Sequence, residues 1–172
     1  HCVTRRQRQM CIRDRSLTPI GDGSIDPQEI EIMKGIGSWL NTNGEAIYGT
    51  RKWKVSSEGT AEMLKYVERK KSYRWTFREL GAADVRFTRS KDNTKLFAIV
   101  LGNPESGTYT IKCLNKDEKI ATGGISKISL ISTNEVVHWK QTKEGLTIEF
   151  PTQGINDIAN AFRIEIDGRL VY

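Results

Sequence analysis

Between Asp22 and Asn43 apolar positions recur at steps of three and four, so that Ile30, Met33, Ile36, Gly37 and Leu40 fall on one face of a 3.6-residue period. Turn chemistry at Asp22-Gly23-Ser24 precedes this run. Asp26 is placed to cap it, Pro27 suits a first helical position, and Glu29 stands at capping-box spacing. Asn43-Gly44 supplies a left-handed stop. The pattern predicts one amphipathic helix over about residues 26–42. An isolated helix of that length cannot bury its own stripe, so it belongs to a larger packed body.

From residue 84 the period changes from 3.6 to 2, and β runs are predicted over 84–89, 95–101, 108–114, 124–131, 136–141, 146–150 and 161–166. Alternation is clearest in Thr108-Tyr109-Thr110-Ile111 and in Leu146-Thr147-Ile148-Glu149-Phe150, with one apolar and one polar face. Asp92-Asn93, Pro104-Glu105-Ser106-Gly107, Lys143-Glu144-Gly145 and Asp167-Gly168 lie where hairpins would close. No helical pattern separates the strands, which excludes a parallel α/β sheet here. The expected fold is mainly β, an antiparallel β-sandwich of about seven or eight strands preceded by one amphipathic α-helix. Between them, residues 56–82 are charged around Glu68-Arg69-Lys70-Lys71 and read as a connector crossing the surface. The expected division is an opening segment (1–15), helix and hinge (16–55), connector (56–82) and sandwich (83–172).

A length of 172 residues allows one real core, or one core with an appendage. The net charge of +6 invites a nucleic-acid or membrane-surface reading until its location is considered. Residues 1–15 hold five arginines against one aspartate, net +4, and the remaining 22 basic and 20 acidic residues net only +2. A body with interspersed charges offers no single-sign field for phosphates, so no nucleic-acid partner is expected. No apolar run approaches the roughly 20 residues of a membrane helix, and the Arg-rich start lacks the apolar stretch of a secretory signal, so no membrane partner is expected either. Cys2 and Cys11 fall in the opening segment and only Cys113 in the body, which supports no disulfide framework. Cys113 reads as a small buried hydrophobe on a strand.

Residues 1–15 (HCVTRRQRQMCIRDR) carry neither helical nor strand periodicity and end abruptly at Ser16. The run 8–15 resembles the translated sequencing-adapter read-through found at the ends of assembled metagenomic genes, and it is set aside from fold reasoning. The alternative is a basic arm for nucleic acid or acidic lipid.

Three ordered stretches carry a family resemblance. The first is Asp22-Gly23-Ser24-Ile25 followed by residues 36–50 (IGSWLNTNGEAIYGT); the second pairs residues 84–88 (DVRFT) with 96–99 (LFAI). The third is Ile128-Ser129-Leu130, then Val137-His138-Trp139-Lys140-Gln141, then residues 145–151 (GLTIEFP). In order and spacing these resemble the C-terminal part of the α-L-fucosidases. The resemblance implies that the helix is the last of an (α/β)8-like catalytic barrel and that the sandwich follows it. It also implies that an Asp nucleophile and a separate acid/base carboxylate of a retaining glycosidase lie upstream, so no catalytic residue is expected here. Fucosylated glycans are the implied partners, through that missing domain, and the implied compartments are secreted, periplasmic or lysosomal.

The remaining chemistry-bearing residues have ordinary readings beside sharper ones. Glu45, in the family-like loop beside Tyr48, is expected to satisfy backbone donors at the helix exit and to help pin the hinge. Asp84 and Arg86 are expected on one strand face as an ion pair. His138 has no second His or Cys at ligand spacing, so neither a metal nor another cofactor is expected, and a half-buried, hydrogen-bonded strand histidine is the default. Trp39 and Trp53 flank the hinge, where packing between domains is expected. Trp75 and Trp139 are the weak candidates for sugar binding, which would make the sandwich an autonomous carbohydrate-binding module.

Overall fold

The structure is a computed structural model that describes residues 22–59, 65–67, 72–74 and 81–171. The opening segment 1–15 and Trp75 lie outside the described residues. The chain divides into two compact units at Asn41/Thr42.

Helix α1 spans Pro27–Asn43. It starts where the capping pattern places it: Asp26 Oδ1 accepts from the Gln28 amide at 2.8 Å, and Ile30 N donates to Asp26 O at 3.1 Å. Ahead of it, Asp22 Oδ1 accepts from both the amide and the hydroxyl of Ser24. Of the predicted stripe, Ile30 and Ile36 are 39% and 41% exposed, while Met33 and Leu40 are half-buried. No helix among the described residues is long and apolar enough to cross a membrane.

The second unit is built from antiparallel strands. They are β1 (Arg51–Glu58), β2 (Lys65–Val67), β3 (Ser72–Arg74), β4 (Val85–Arg89), β5 (Lys95–Val100), β6 (Thr108–Ile111), β7 (Ile125–Leu130), β8 (Trp139–Gln141), β9 (Leu146–Glu149) and β10 (Asn160–Ile166). One sheet has the order β1-β4-β5-β10-β7, a second the order β6-β9-β8, and β2 and β3 pair as a separate hairpin. Alternate residues of both larger sheets meet in one core. Trp53, Val85, Phe87, Leu96, Ala98, Val100, Ile128, Leu130, Phe162 and Ile164 come from the five-stranded sheet, and Tyr109, Ile111, Leu146 and Ile148 from the three-stranded one. Edge-to-face ring contacts knit this layer: Trp53 with Phe87 at 5.4 Å and Phe150 with Phe162 at 4.9 Å. The fold is thus the expected sandwich, preceded along the chain by one helix.

Several boundaries differ from the sequence reading. β1 occupies residues assigned to hinge and connector, and β2 and β3 occupy part of the charged connector. In β1 only Trp53 and Val55 turn toward the core between lysines and serines, and a bulge between Lys52 and Ser57 interrupts its register with β4. The run predicted over 108–114 stops at Ile111, because the Glu58 carboxylate accepts from the amides of Lys112 and Cys113 at 2.6 and 2.7 Å. These side-chain bonds replace the ladder and leave a 3-10 turn over Lys112–Leu114. Cys113 therefore sits on that turn, half-buried, and not on a strand. The run predicted over 136–141 shortens to β8, since Val136 bridges back to Ser129 on β7 and Val137 N donates to Ile128 O.

Candidate functional site

The chain leaves α1 through the buried Asn43 and a 3-10 turn over Gly44–Ala46. This turn lies against the face of the five-stranded sheet opposite the core. Across that face, strand register aligns Thr88, Phe97, Arg163 and Ser129 in one row. Thr88 Oγ1 donates to Ala46 O at 2.5 Å. Glu45 is gripped from two strands: Lys95 Nζ reaches Oε1 at 3.0 Å and Arg163 Nη1 reaches Oε2 at 2.8 Å. Arg163, whose side chain is 15% exposed, also donates from Nη2 to Asn134 Oδ1. Its Nε lies 3.3 Å from Glu165 Oε1, an ion-pair contact that lacks hydrogen-bond geometry. Partial burial of Glu45 works against ionisation, but the hydrogen bonds and charges of Lys95 and Arg163 outweigh it and hold the carboxyl below its ordinary value.

These contacts agree with Glu45 pinning the hinge and correct the means. Its oxygens bind two cationic side chains from β5 and β10 and do not serve backbone donors at the helix exit. The partners lie 50 and 118 residues away, beyond the reach of any local pattern.

Next to this clamp lies a shallow open cleft of about 300 Å³, lined among others by Glu45, Tyr48, Thr50, Asp92, Lys95 and Phe97. Tyr48 is 64% exposed. Asp92 sits in the β4–β5 hairpin, where its Oδ1 accepts from the Ser90 hydroxyl and the Thr94 amide; these bonds, the Ser90 hydroxyl foremost, lower its pKa.

The other candidates scatter. Trp139, on β8, is half-buried and packs against the core, and Trp53 is wholly inside it instead of between domains. Trp39 is half-buried on α1. His138 precedes β8 and is exposed, which corrects the half-buried strand reading; its carbonyl accepts from Glu149 N. β4 begins at Val85, so Asp84 is a buried turn residue whose Oδ2 accepts from Gly81 N, while Arg86 Nη1 reaches the Val85 carbonyl. Burial, then the neighbouring Glu58, pushes the Cys113 thiol far up, which keeps it protonated and unreactive. Among the described residues no cluster of three metal-binding side chains exists. Tyr48 and Asp92 were not singled out from sequence, although Tyr48 stands in the family-like loop.

Comparison with known proteins gives the sandwich a family. The sequence profile of the α-L-fucosidase C-terminal domain matches residues 78–166, just over half of the chain. The chain belongs to the α-L-fucosidase family. What it represents there is the C-terminal domain and not the catalytic barrel. It is similar to the α-L-fucosidase of Branchiostoma floridae, 26% identical over 150 residues, covering 83% of this chain and 26% of that protein. The tissue α-L-fucosidase of Rattus norvegicus is 29% identical over 137 residues, covering 79% of this chain and 23% of that protein. Among solved structures, the Thermotoga maritima α-fucosidase in complex with fucose superposes with a TM-score of 0.59 at 25% identity, over 86% of this chain and 29% of that one. The chain thus spans about a quarter of the length of the curated α-L-fucosidases it matches.

Proposed function

We propose that this chain is the C-terminal part of a retaining α-L-fucosidase whose upstream barrel hydrolyses terminal α-L-fucosyl linkages of glycans. The observation that carries this reading is the family match over residues 78–166, alongside the superposition of 86% of the chain on an α-fucosidase solved with fucose. In this reading an Asp nucleophile and a separate acid/base carboxylate stand roughly 5–5.5 Å apart at the C-terminal ends of barrel strands, upstream of Ser16. The chain itself contributes the last barrel helix and a sandwich that backs the barrel. The double grip on Glu45 supports that role, since it fixes where the chain enters the sheet. Fucosylated glycans are then the substrates of the parent. A secreted, periplasmic or lysosomal setting agrees with relatives named tissue and plasma α-L-fucosidase.

The test is to recover the coding sequence upstream of Ser16, express the joined protein and assay an aryl α-L-fucoside. The joined protein releases fucose with the α-anomer appearing first, and the 172-residue chain alone releases none. An intact parent that cannot cleave the fucoside overturns the proposal, and so does hydrolysis by the chain alone.

A further inference from the structure

The cleft beside the Glu45 clamp combines groups that domain packing by itself does not require. Its aromatic wall is held in place by backbone: Tyr48 N donates to Gly44 O at 2.7 Å, and the Tyr48 ring lies directly over Gly44. A Cβ at position 44 would come within 2.8 Å of ring carbon Cδ2 and 2.9 Å of Cε2, so glycine is what lets the ring settle there. The ring is supported on one side, remains largely exposed and lines the cleft. Phe97 lies beneath the cleft but is only 2% exposed, so the apolar surface on offer is that of Tyr48. Around them stand the Asp92 carboxylate, kept ionised by Ser90 and Thr94, the Lys95 ammonium, and the Thr50 hydroxyl.

The chemistry of this lining selects among ligands. A phosphate would meet the carboxylates of Glu45 and Asp92, and a purely apolar ligand would strip water from both carboxylates and Lys95 without replacing it. A polyol with one apolar face suits Tyr48, Asp92 and Lys95 together. Its C–H face lies on the electron-rich Tyr48 ring, vicinal hydroxyls donate to Asp92, and a further hydroxyl accepts from Lys95. A 6-deoxy sugar also carries a methyl group in place of a hydroxymethyl, which extends the apolar face it can lay on the Tyr48 ring. The volume, at the small end of the roughly 300–1,000 Å³ typical of ligand pockets, admits a single ring.

We propose that this cleft is a secondary binding site for one terminal deoxyhexose, L-fucose, of a glycan. The choice of fucose rests on the α-L-fucosidase reading; the capacity for a pyranose rests on the cleft alone. An open site of this kind binds at roughly millimolar Kd, useful when it acts together with a second contact on the same glycan.

The 172-residue chain is titrated with methyl α-L-fucopyranoside, and separately with methyl β-D-galactopyranoside, while backbone amide shifts are followed by NMR. Saturable shifts confined to residues 48–50 and 90–95 are expected with the fucoside. Tyr48→Ala weakens them at least ~10-fold, equivalent to about 1.4 kcal/mol. Tyr48→Phe, which retains the ring, keeps binding, and Asp92→Asn weakens it with the spectrum otherwise unchanged. Absence of saturable shifts, shifts located elsewhere, binding undiminished in Tyr48→Ala, or binding of the galactoside alone each overturns the assignment. A chain that binds no fucoside while the joined parent still cleaves one overturns the cleft proposal and leaves the parent's activity standing.

Discussion

Glu45 shows how one side chain changes meaning between sequence and structure. Read locally, it is a polar residue at a helix exit; in the fold it receives Lys95 from β5 and Arg163 from β10. The Glu45 side chain is 37% exposed, so solvent screens these pairs, and Glu45→Gln is expected to cost about 0.5–1 kcal/mol at neutral pH in chemical denaturation. The pH dependence has a definite sign. Because the folded pKa is lowered from 4.5, this stability is complete above that value and is lost as pH falls through the lower folded pKa. Denaturation midpoints of the Gln variant should therefore converge on those of the parent chain below pH 4.5, and a constant difference across that range would argue against the clamp. Trp139 and His138 make the same point from adjacent positions. One packs against the core and the other is exposed, an outcome set by strand register that two neighbouring letters do not encode.

At the scale of elements, helix α1 and the seven predicted strands were legible because each carries its own period, although the left-handed stop expected at Asn43-Gly44 does not form: Asn43 has φ −108° and the chain runs on into the 3-10 turn over Gly44–Ala46. Asp26 and Pro27 mark the helix start to the residue. β1 was not legible: its inward residues Trp53 and Val55 are separated by lysines and serines, and its pairing with β4 is broken by a bulge. It is nonetheless part of the core, and Trp53→Ala is expected to cost about 3–5 kcal/mol by urea denaturation. The end of β6 was also hidden, since it is imposed by Glu58 from the far end of β1. Glu58→Ala should remove about 1.5–3 kcal/mol and raise hydrogen exchange at the Lys112 and Cys113 amides ahead of their neighbours. Uniform exchange across residues 108–114 in the variant would show that the carboxylate does not terminate the strand.

For the molecule as a whole, the question is what the chain leaves uncovered. Ile25, Ile30, Ile32 and Ile36 are all exposed, Ile32 at 61%. A chain that forms a quarter of its relatives' length and carries such a helix is expected to bind an apolar dye or to self-associate, and Ile32→Lys with Ile36→Lys should abolish both without lowering the stability of the sandwich. A monomer that binds no dye would show that the stripe needs no cover. The sequence by itself determined the fold class, the helix and its cap, most strands and the family, because periodicity, turn chemistry and ordered short motifs are local and survive at about a quarter identity. Only the tertiary structure decided that Glu45 is clamped from two strands, that Gly44 seats the Tyr48 ring, and that Asp92 and Lys95 come round to face it. Glu45 stands 50 residues from Lys95 and 118 from Arg163, and antiparallel pairing of β5 with β10 is what sets those two cations side by side within its hydrogen-bonding reach.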